Sequence, residues 1–252
     1  MSARWWLGLA ISTVVGAQAF ETASIKLSKP GDLQRPSMEF LPGGRFRSIH
    51  IPLLPVLATA YNLPFATREY LRIKNVPDWI FSELYDIEAT PAVPGQRIRP
   101  MLRALFAERF KLKIRTDIVE TAVYAIAIGP HGPKLEPSKI DERDCVESDQ
   151  LNTGSGCHQI LGGMGRGMHG SAVTVADIAL YASGWSDAPV VDQTGLTGLY
   201  AILTEGWSTG LDDDPSRPTL SEIFERMGLK LVRKRARVEI FTIEHVERPS
   251  KN

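Results

Sequence analysis

Net charge, cysteine and long apolar runs are all scarce in this sequence, and each scarcity excludes something. Its 29 basic side chains are cancelled by 29 acidic ones, so it has no concentrated positive field with which to hold a nucleic acid. Beyond the first sixteen residues no apolar stretch approaches the roughly 20 residues that a membrane-spanning helix needs. The two cysteines, Cys145 and Cys157, match no compact zinc knuckle, even with His158 and His169 added. No G-x-S-x-G elbow and no H-E-x-x-H pair occurs, and the five histidines are scattered. No catalytic residue, metal ligand or cofactor-binding residue is therefore assigned.

What is present begins with an export signal. Arg4 precedes an apolar run from Trp5 to Gly16, and Ala17-Gln18-Ala19 follows. A positive charge, a short hydrophobic stretch and an A-x-A end are the three parts of a secretory signal peptide, here residues 1–19. The mature chain is then expected in the periplasm or outside the cell. In that oxidising setting Cys145 and Cys157, twelve residues apart, read as one disulfide. The loop-entropy model gives such a closure about 3 kcal/mol.

The mature chain reads as the same plan written twice. Met38-Glu-Phe-Leu-Pro-Gly-Gly-Arg-Phe46 and His158-Gln-Ile-Leu-Gly-Gly-Met-Gly-Arg166 each give a strand and a glycine turn. A helix follows each, with Ile51, Leu54, Leu57, Ala58 and Tyr61 at helical spacing in one and Val173, Ala176, Ile178, Ala179 and Ala182 in the other. Thr174 with Asp177 three residues on is a cap for the second. Val76-Pro-Asp78 and Val190-Val-Asp192 come next, then strands opening at Tyr85 and Tyr200, then helices carrying Met101, Leu102, Leu105 and Phe106 or Leu220, Ile223, Phe224 and Met227. Both plans close on hairpins, Phe110-Lys-Leu-Lys-Ile114 with Val123–Ile128 and Leu229-Lys-Leu-Val232 with Val238–Ile243.

The expected fold class is α+β, two repeated small modules each with two helices packed on a mixed or antiparallel sheet. The boundaries read 1–19 for the signal, 20–130 for the first repeat, 131–156 for a linker with the cysteine loop, and 157–252 for the second repeat. Residues Glu21 to Lys29 alternate as a strand and are expected at a sheet edge.

The opening Phe20-Glu-Thr-Ala-Ser-Ile-Lys26, the block Val76-Pro-Asp-Trp79 with Tyr85-Asp-Ile-Glu-Ala89, and Leu105-Phe-Ala-Glu-Arg-Phe-Lys-Leu-Lys113 are distinctive. So are Pro189-Val-Val-Asp-Gln-Thr-Gly-Leu-Thr-Gly-Leu-Tyr200 and the ending His245-Val-Glu-Arg-Pro-Ser-Lys-Asn252. Together they resemble a large family of soil-associated secreted bacterial proteins of unknown function. The resemblance spans the whole mature chain. It implies an exported protein and carries over no catalytic residue. Each half also resembles, on pattern alone, the short periplasmic modules at the start of secretins and outer-membrane receptors.

Several motifs have both a chemical and a plain reading. Gly165-Arg-Gly167-Met-His-Gly170 is a literal G-x-G-x-x-G, but the matching place in the first repeat is a hairpin turn, which is the reading preferred here. Asp78 and Asp192 sit at matched positions, yet lack the flanks of an aspartic-protease dyad and read as turn residues. Lys230, Arg233, Lys234, Arg235 and Arg237 read as a solvated hairpin turn, and as an anion-binding patch on the sharper reading. Trp79 and Trp185 read as packing or interface residues. Trp79, Trp185, Arg233, Arg235 and Arg237 are thus the candidate interface. The expected function is a non-catalytic extracytoplasmic binding or assembly module, with an envelope protein or a cell-surface ligand as partner. The alternative is a secreted or periplasmic hydrolase acting on envelope or extracellular material.

Overall fold

The fold is that of a computed structural model, described here for residues 19–29, 34–64, 72–94, 97–145, 157–208 and 216–249. The expected signal peptide, Ala19 apart, lies outside the described residues. In chain order the N-terminal elements are Phe20–Leu27 (β1), Ser37–Leu41 (β2), Arg45–Pro52 (β3), Leu53–Ala60 (α1), Ile73–Lys74 (β4), Asp78–Ser82 (α2), Leu84–Pro91 (β5) and Ile98–Arg109 (α3). Then come Lys113–Ile128 (β6), Glu136–Pro137 (β7), Leu161–Gly163 (β8), Gly167–Val173 (β9), Val175–Ser183 (α4), Val190–Asp192 (β10), Tyr200–Leu203 (β11), Leu220–Arg226 (α5) and Leu229–His245 (β12). The class is α+β, with antiparallel and mixed sheets.

One antiparallel sheet has the order β1-β5-β3-β2 and another β7-β11-β9-β8. Each is covered on one face. Along β5 the side chains of Tyr85, Ile87, Ala89 and Pro91 turn inward while those between them do not, the alternation of a half-buried strand. Helix α3 supplies cover through Ile98, Met101, Leu102, Leu105 and Phe106, a stripe at three- and four-residue spacing. Helix α4 buries Val175, Ile178, Ala179 and Ala182 in the same way. It starts on a reciprocal cap, Thr174 with Asp177, as its sequence predicts.

The third sheet joins the two. Strands β6 and β12 pair antiparallel from Lys113 opposite His245 to Ile128 opposite Leu229. Strand β4 adds to β12 in parallel and β10 adds to β6 in parallel. Here the structure differs from the sequence reading, which closed each repeat on its own hairpin. The segments 113–128 and 229–245 are each one continuous strand and pair with one another. The basic run from Lys230 to Arg237 therefore lies within a strand and not at a turn. Its residues point alternately to the two faces, so Arg233, Arg235 and Arg237 share one face.

The ribbon also links the cores. Phe241 and Ile243, at the end of β12, are buried in the N-terminal core beside Tyr85, Ile87 and Phe106. Ile126, at the end of β6, is buried in the C-terminal core with Ile178, Trp207 and Phe224. Each core is completed by a strand end that arrives from the other part of the chain.

Other local differences have clear causes. Asp78 opens the short helix α2, because Pro77 cannot continue a strand ladder. It is Ile73, not Val76, that takes the strand position on β12. Within the segment read as a linker, Glu136–Pro137 pairs with β11 and forms a sheet edge. The N-terminal strand β1 lies at the edge beside β5.

Because both cores depend on this exchange, Ile126→Ala and Ile243→Ala are each expected to lower global stability by about 2–4 kcal/mol, the usual cost of truncating a buried isoleucine. Urea unfolding followed by far-UV circular dichroism measures this. A loss below about 0.5 kcal/mol, as at an exposed site, would contradict the assignment.

Candidate functional site

A cavity of about 590 Å³ opens where the two cores face each other. On the N-terminal side it is walled by the end of α1 and by Arg99, and on the C-terminal side by α4, the β8 turn and Trp185. Local chemistry sets the first wall. Asn62 has a left-handed backbone with φ of 51°, and the Leu63 amide donates back to the Ala58 carbonyl at 2.8 Å. That closes the helix and turns Leu63 and Pro64 into the cavity. The opposite wall is Ile160, Leu161, Leu180, Tyr181 and Trp185. Two guanidinium groups, Arg99 and Arg166, and the Asp177 carboxylate complete the lining.

Behind the apolar wall sits an aromatic trio. Tyr181, Trp185 and Trp207 lie with ring centroids 5.8–6.5 Å apart, two of the three contacts being edge-to-face. Trp207 is fully buried and holds the other two from below. Trp185 remains 38% exposed.

At the rim Asp177 does two jobs. One carboxylate oxygen, Oδ2, accepts from the Thr174 amide at 2.8 Å and the Thr174 hydroxyl at 2.7 Å, capping α4. The same oxygen lies 2.8 Å from His158 Nδ1, while His158 Nε2 lies 3.0 Å from Glu142 Oε1. Burial pushes the His158 pKa down, but the hydrogen bonds and charges of Asp177 and Glu142 outweigh it and hold the ring above its ordinary value. Cys145 and Cys157, beside this cluster, are bonded to one another. Glu142, Cys145 and His158 come close enough to suggest a cation site, but the disulfide leaves Cys145 no thiolate with which to bind one.

The sequence-derived candidates fall in separate places. Trp185 lines the cavity. Trp79 packs edge-to-face on Tyr85 at 6.5 Å, with the Arg248 guanidinium 5.1 Å above it. Arg248 also forks onto Glu83 at 2.7 and 3.0 Å, so this cluster pins the chain end against β5. Arg233 faces Asp187 at 3.6 Å and stacks on Tyr124 at 5.5 Å. Arg235 reaches the Glu120 carboxylate at 3.2 Å, and Arg237 lies opposite Glu120 in the register. The arginine stripe thus has acidic neighbours from β6 and from the turn before β10.

Residues 55–246 match the family described as "Protein of unknown function (DUF3738)". The chain belongs to that family. The matched span runs from α1 to just past β12 and contains every residue named in the cavity. No curated protein and no solved structure matches the chain. The membership agrees with an uncharacterised family and assigns no reaction.

The glycine motif resolves as a turn. Gly167 has φ of 83°, and a side chain there would stand 2.0 Å from the Thr204 carbonyl oxygen. The glycine is required by the approach of the β11 end to the β8–β9 hairpin, not by a pyrophosphate. Asp192 Oδ1 accepts from both the amide and the hydroxyl of Thr194 at 2.8 Å, which is a turn-forming use of aspartate. Sequence reading missed Leu63, Pro64, Arg99, Leu161 and Arg166 as wall residues. Only the exposure of so apolar a residue as Leu161 marks them, and exposure is not written in the sequence.

The His158 cluster has a pH signature. A pKa raised on folding means the stabilisation is fully present below about pH 6.5, the unfolded histidine value, and is lost as pH rises through the folded value. Thermal unfolding of the chain is expected to lose about 0.2–1 kcal/mol across that window, since the group is partly exposed. His158→Gln should remove this part of the pH dependence. An unchanged profile would show the cluster to be energetically silent.

Proposed function

We propose that the protein is a non-catalytic extracytoplasmic binding module and that the cavity between its two cores is where it takes its ligand. The observation that carries this reading is the lining: a pocket of drug-sized volume with an aromatic and aliphatic wall and a few polar groups, the usual composition of a ligand site. The ligand that fits is a cell-surface or envelope molecule with an apolar body and an anionic group, the body against Leu161, Tyr181 and Trp185 and the anion toward Arg99 or Arg166. Residues 1–19 serve as the signal peptide. The Cys145–Cys157 disulfide supports export, and no helix among the described residues is long and apolar enough to cross a membrane.

The module is built of two repeats, residues 20–130 and 157–252. What supports this is the pairing of the central sheet. An offset of 117 residues carries the pair Ile73–Phe241 onto Val190–Tyr124, with the two partners exchanged. The same offset relates two hydrogen bonds, Phe241 amide to Arg72 carbonyl at 2.8 Å and Tyr124 amide to Pro189 carbonyl at 2.9 Å. Two copies that trade strands around such an axis leave a groove between them, and that groove is the binding site.

Leu161 is 58% exposed, so Leu161→Glu tests the site without disturbing a core. The oxidised chain is incubated with envelope extract, recovered, and its bound small molecules and proteins are read by mass spectrometry. The expected result is a ligand retained by the wild type and reduced at least about tenfold by Leu161→Glu, in line with the cost of exposing a leucine-sized contact. Equal recovery by both proteins, or no retained molecule at any salt concentration, would overturn the reading.

A further inference from the structure

A second cavity, of about 520 Å³, lies on the far side of the α1 terminus from the groove, with Asn62 bordering both. Its lining is polar: Tyr61, Asn62, Arg72, Arg103, Thr116 and Glu239, floored by Phe241. The sheet register explains the convergence. Thr116 lies opposite Phe241 on the central ribbon, and Glu239, two residues before Phe241, falls on the same face. Tyr61 packs edge-to-face on Phe241 at 5.5 Å. Arg103 stacks 5.2 Å over the Tyr61 ring and spends its Nε on the Ala60 carbonyl at 2.7 Å.

Arg72 is the informative member. Its backbone carbonyl accepts from the Phe241 amide. At the corresponding strand start Pro189 makes the same bond to Tyr124, so no guanidinium is needed for the pairing. Yet Arg72 places one here, and its Nε is buried with no hydrogen-bond partner among the described residues. Burial pushes its pKa below the ordinary arginine value, opposed by the charge of Glu239. A half-buried guanidinium whose Nε finds no hydrogen bond among the described residues carries a desolvation cost that a further anionic partner would offset. Tyr61, Asn62 and Thr116 offer donors as well as acceptors, Arg103 offers donors alone, and the carboxylate among the lining residues, Glu239, is exposed.

We infer that this second cavity is a binding site for a small oxyanion, a carboxylate or a phosphate group, held between the guanidinium groups of Arg72 and Arg103. Tyr61, Asn62 and Thr116 supply further donors, and arginine forks suit both anions. Glu239 opposes a doubly charged ligand and leaves the site with a net single positive charge. The inference is independent of the groove proposal, because Arg72, Arg103 and Glu239 do not line the groove.

The test titrates the full chain with inorganic phosphate and, separately, with acetate at low ionic strength, read by calorimetry and by amide chemical shifts. Saturable binding is expected in the wild type, weakened at least about tenfold by Arg72→Gln, which removes a charge-assisted fork. Glu239→Gln, at an exposed position, is expected to tighten phosphate binding about threefold by removing a like charge. The stronger of the two probes identifies which anion the site takes. No saturable binding of either probe, or unchanged affinity in Arg72→Gln, would overturn the inference. Should Arg72→Gln fail to fold, Glu239→Gln decides alone: tightening supports the site and an unchanged affinity overturns it.

Discussion

Everything else in this molecule hangs on the antiparallel pairing of two very long strands, β6 and β12. A strand of average length ends where its own core ends, whereas these two run on past their own cores. Each reaches the far core and buries apolar residues near its end there, Ile126 in the C-terminal core and Phe241 with Ile243 in the N-terminal one. The exchange ties the two hydrophobic clusters through backbone hydrogen bonds instead of through a flexible tether. Relative motion of the two clusters is resisted by the whole register, not by a few side-chain contacts.

Both cavities are consequences of that arrangement. The end of α1 is trapped between the ribbon and the second core, and its closing turn at Asn62 divides the space in two. On one side the walls are aromatic and aliphatic. On the other the ribbon presents Thr116 and Glu239 next to Arg72 and Arg103. The contrast arises because the first space faces another hydrophobic cluster while the second faces the central sheet, whose middle is open to water and carries charge.

Charge on the ribbon is arranged more quietly than a list of residues suggests. The run from Lys230 to Arg237 is a strong positive signal in one dimension. In three dimensions β6 and the turn before β10 bring Glu120 and Asp187 against it. Such exposed pairs add little stability. Their effect is to keep an open strand face from acting as a single-signed field.

The sequence by itself determined the secondary structure wherever the cause is local. Alternation marked β5, three- and four-residue spacing marked α3 and α4, and Thr174 with Asp177 marked where α4 begins. The spacing of Cys145 and Cys157 was enough to expect their disulfide, and the family resemblance was readable as an uncharacterised family. Tertiary structure alone decided the partner of each long strand. The segment 113–128 can fold on itself as a hairpin or extend to meet the distant segment 229–245, and both choices satisfy the same alternation. Only the burial of Ile126 in one core and Ile243 in the other selects the extended form. The cavity walls follow from that choice, so Leu161, Arg72 and Arg103 could not be distinguished in the sequence from ordinary surface residues.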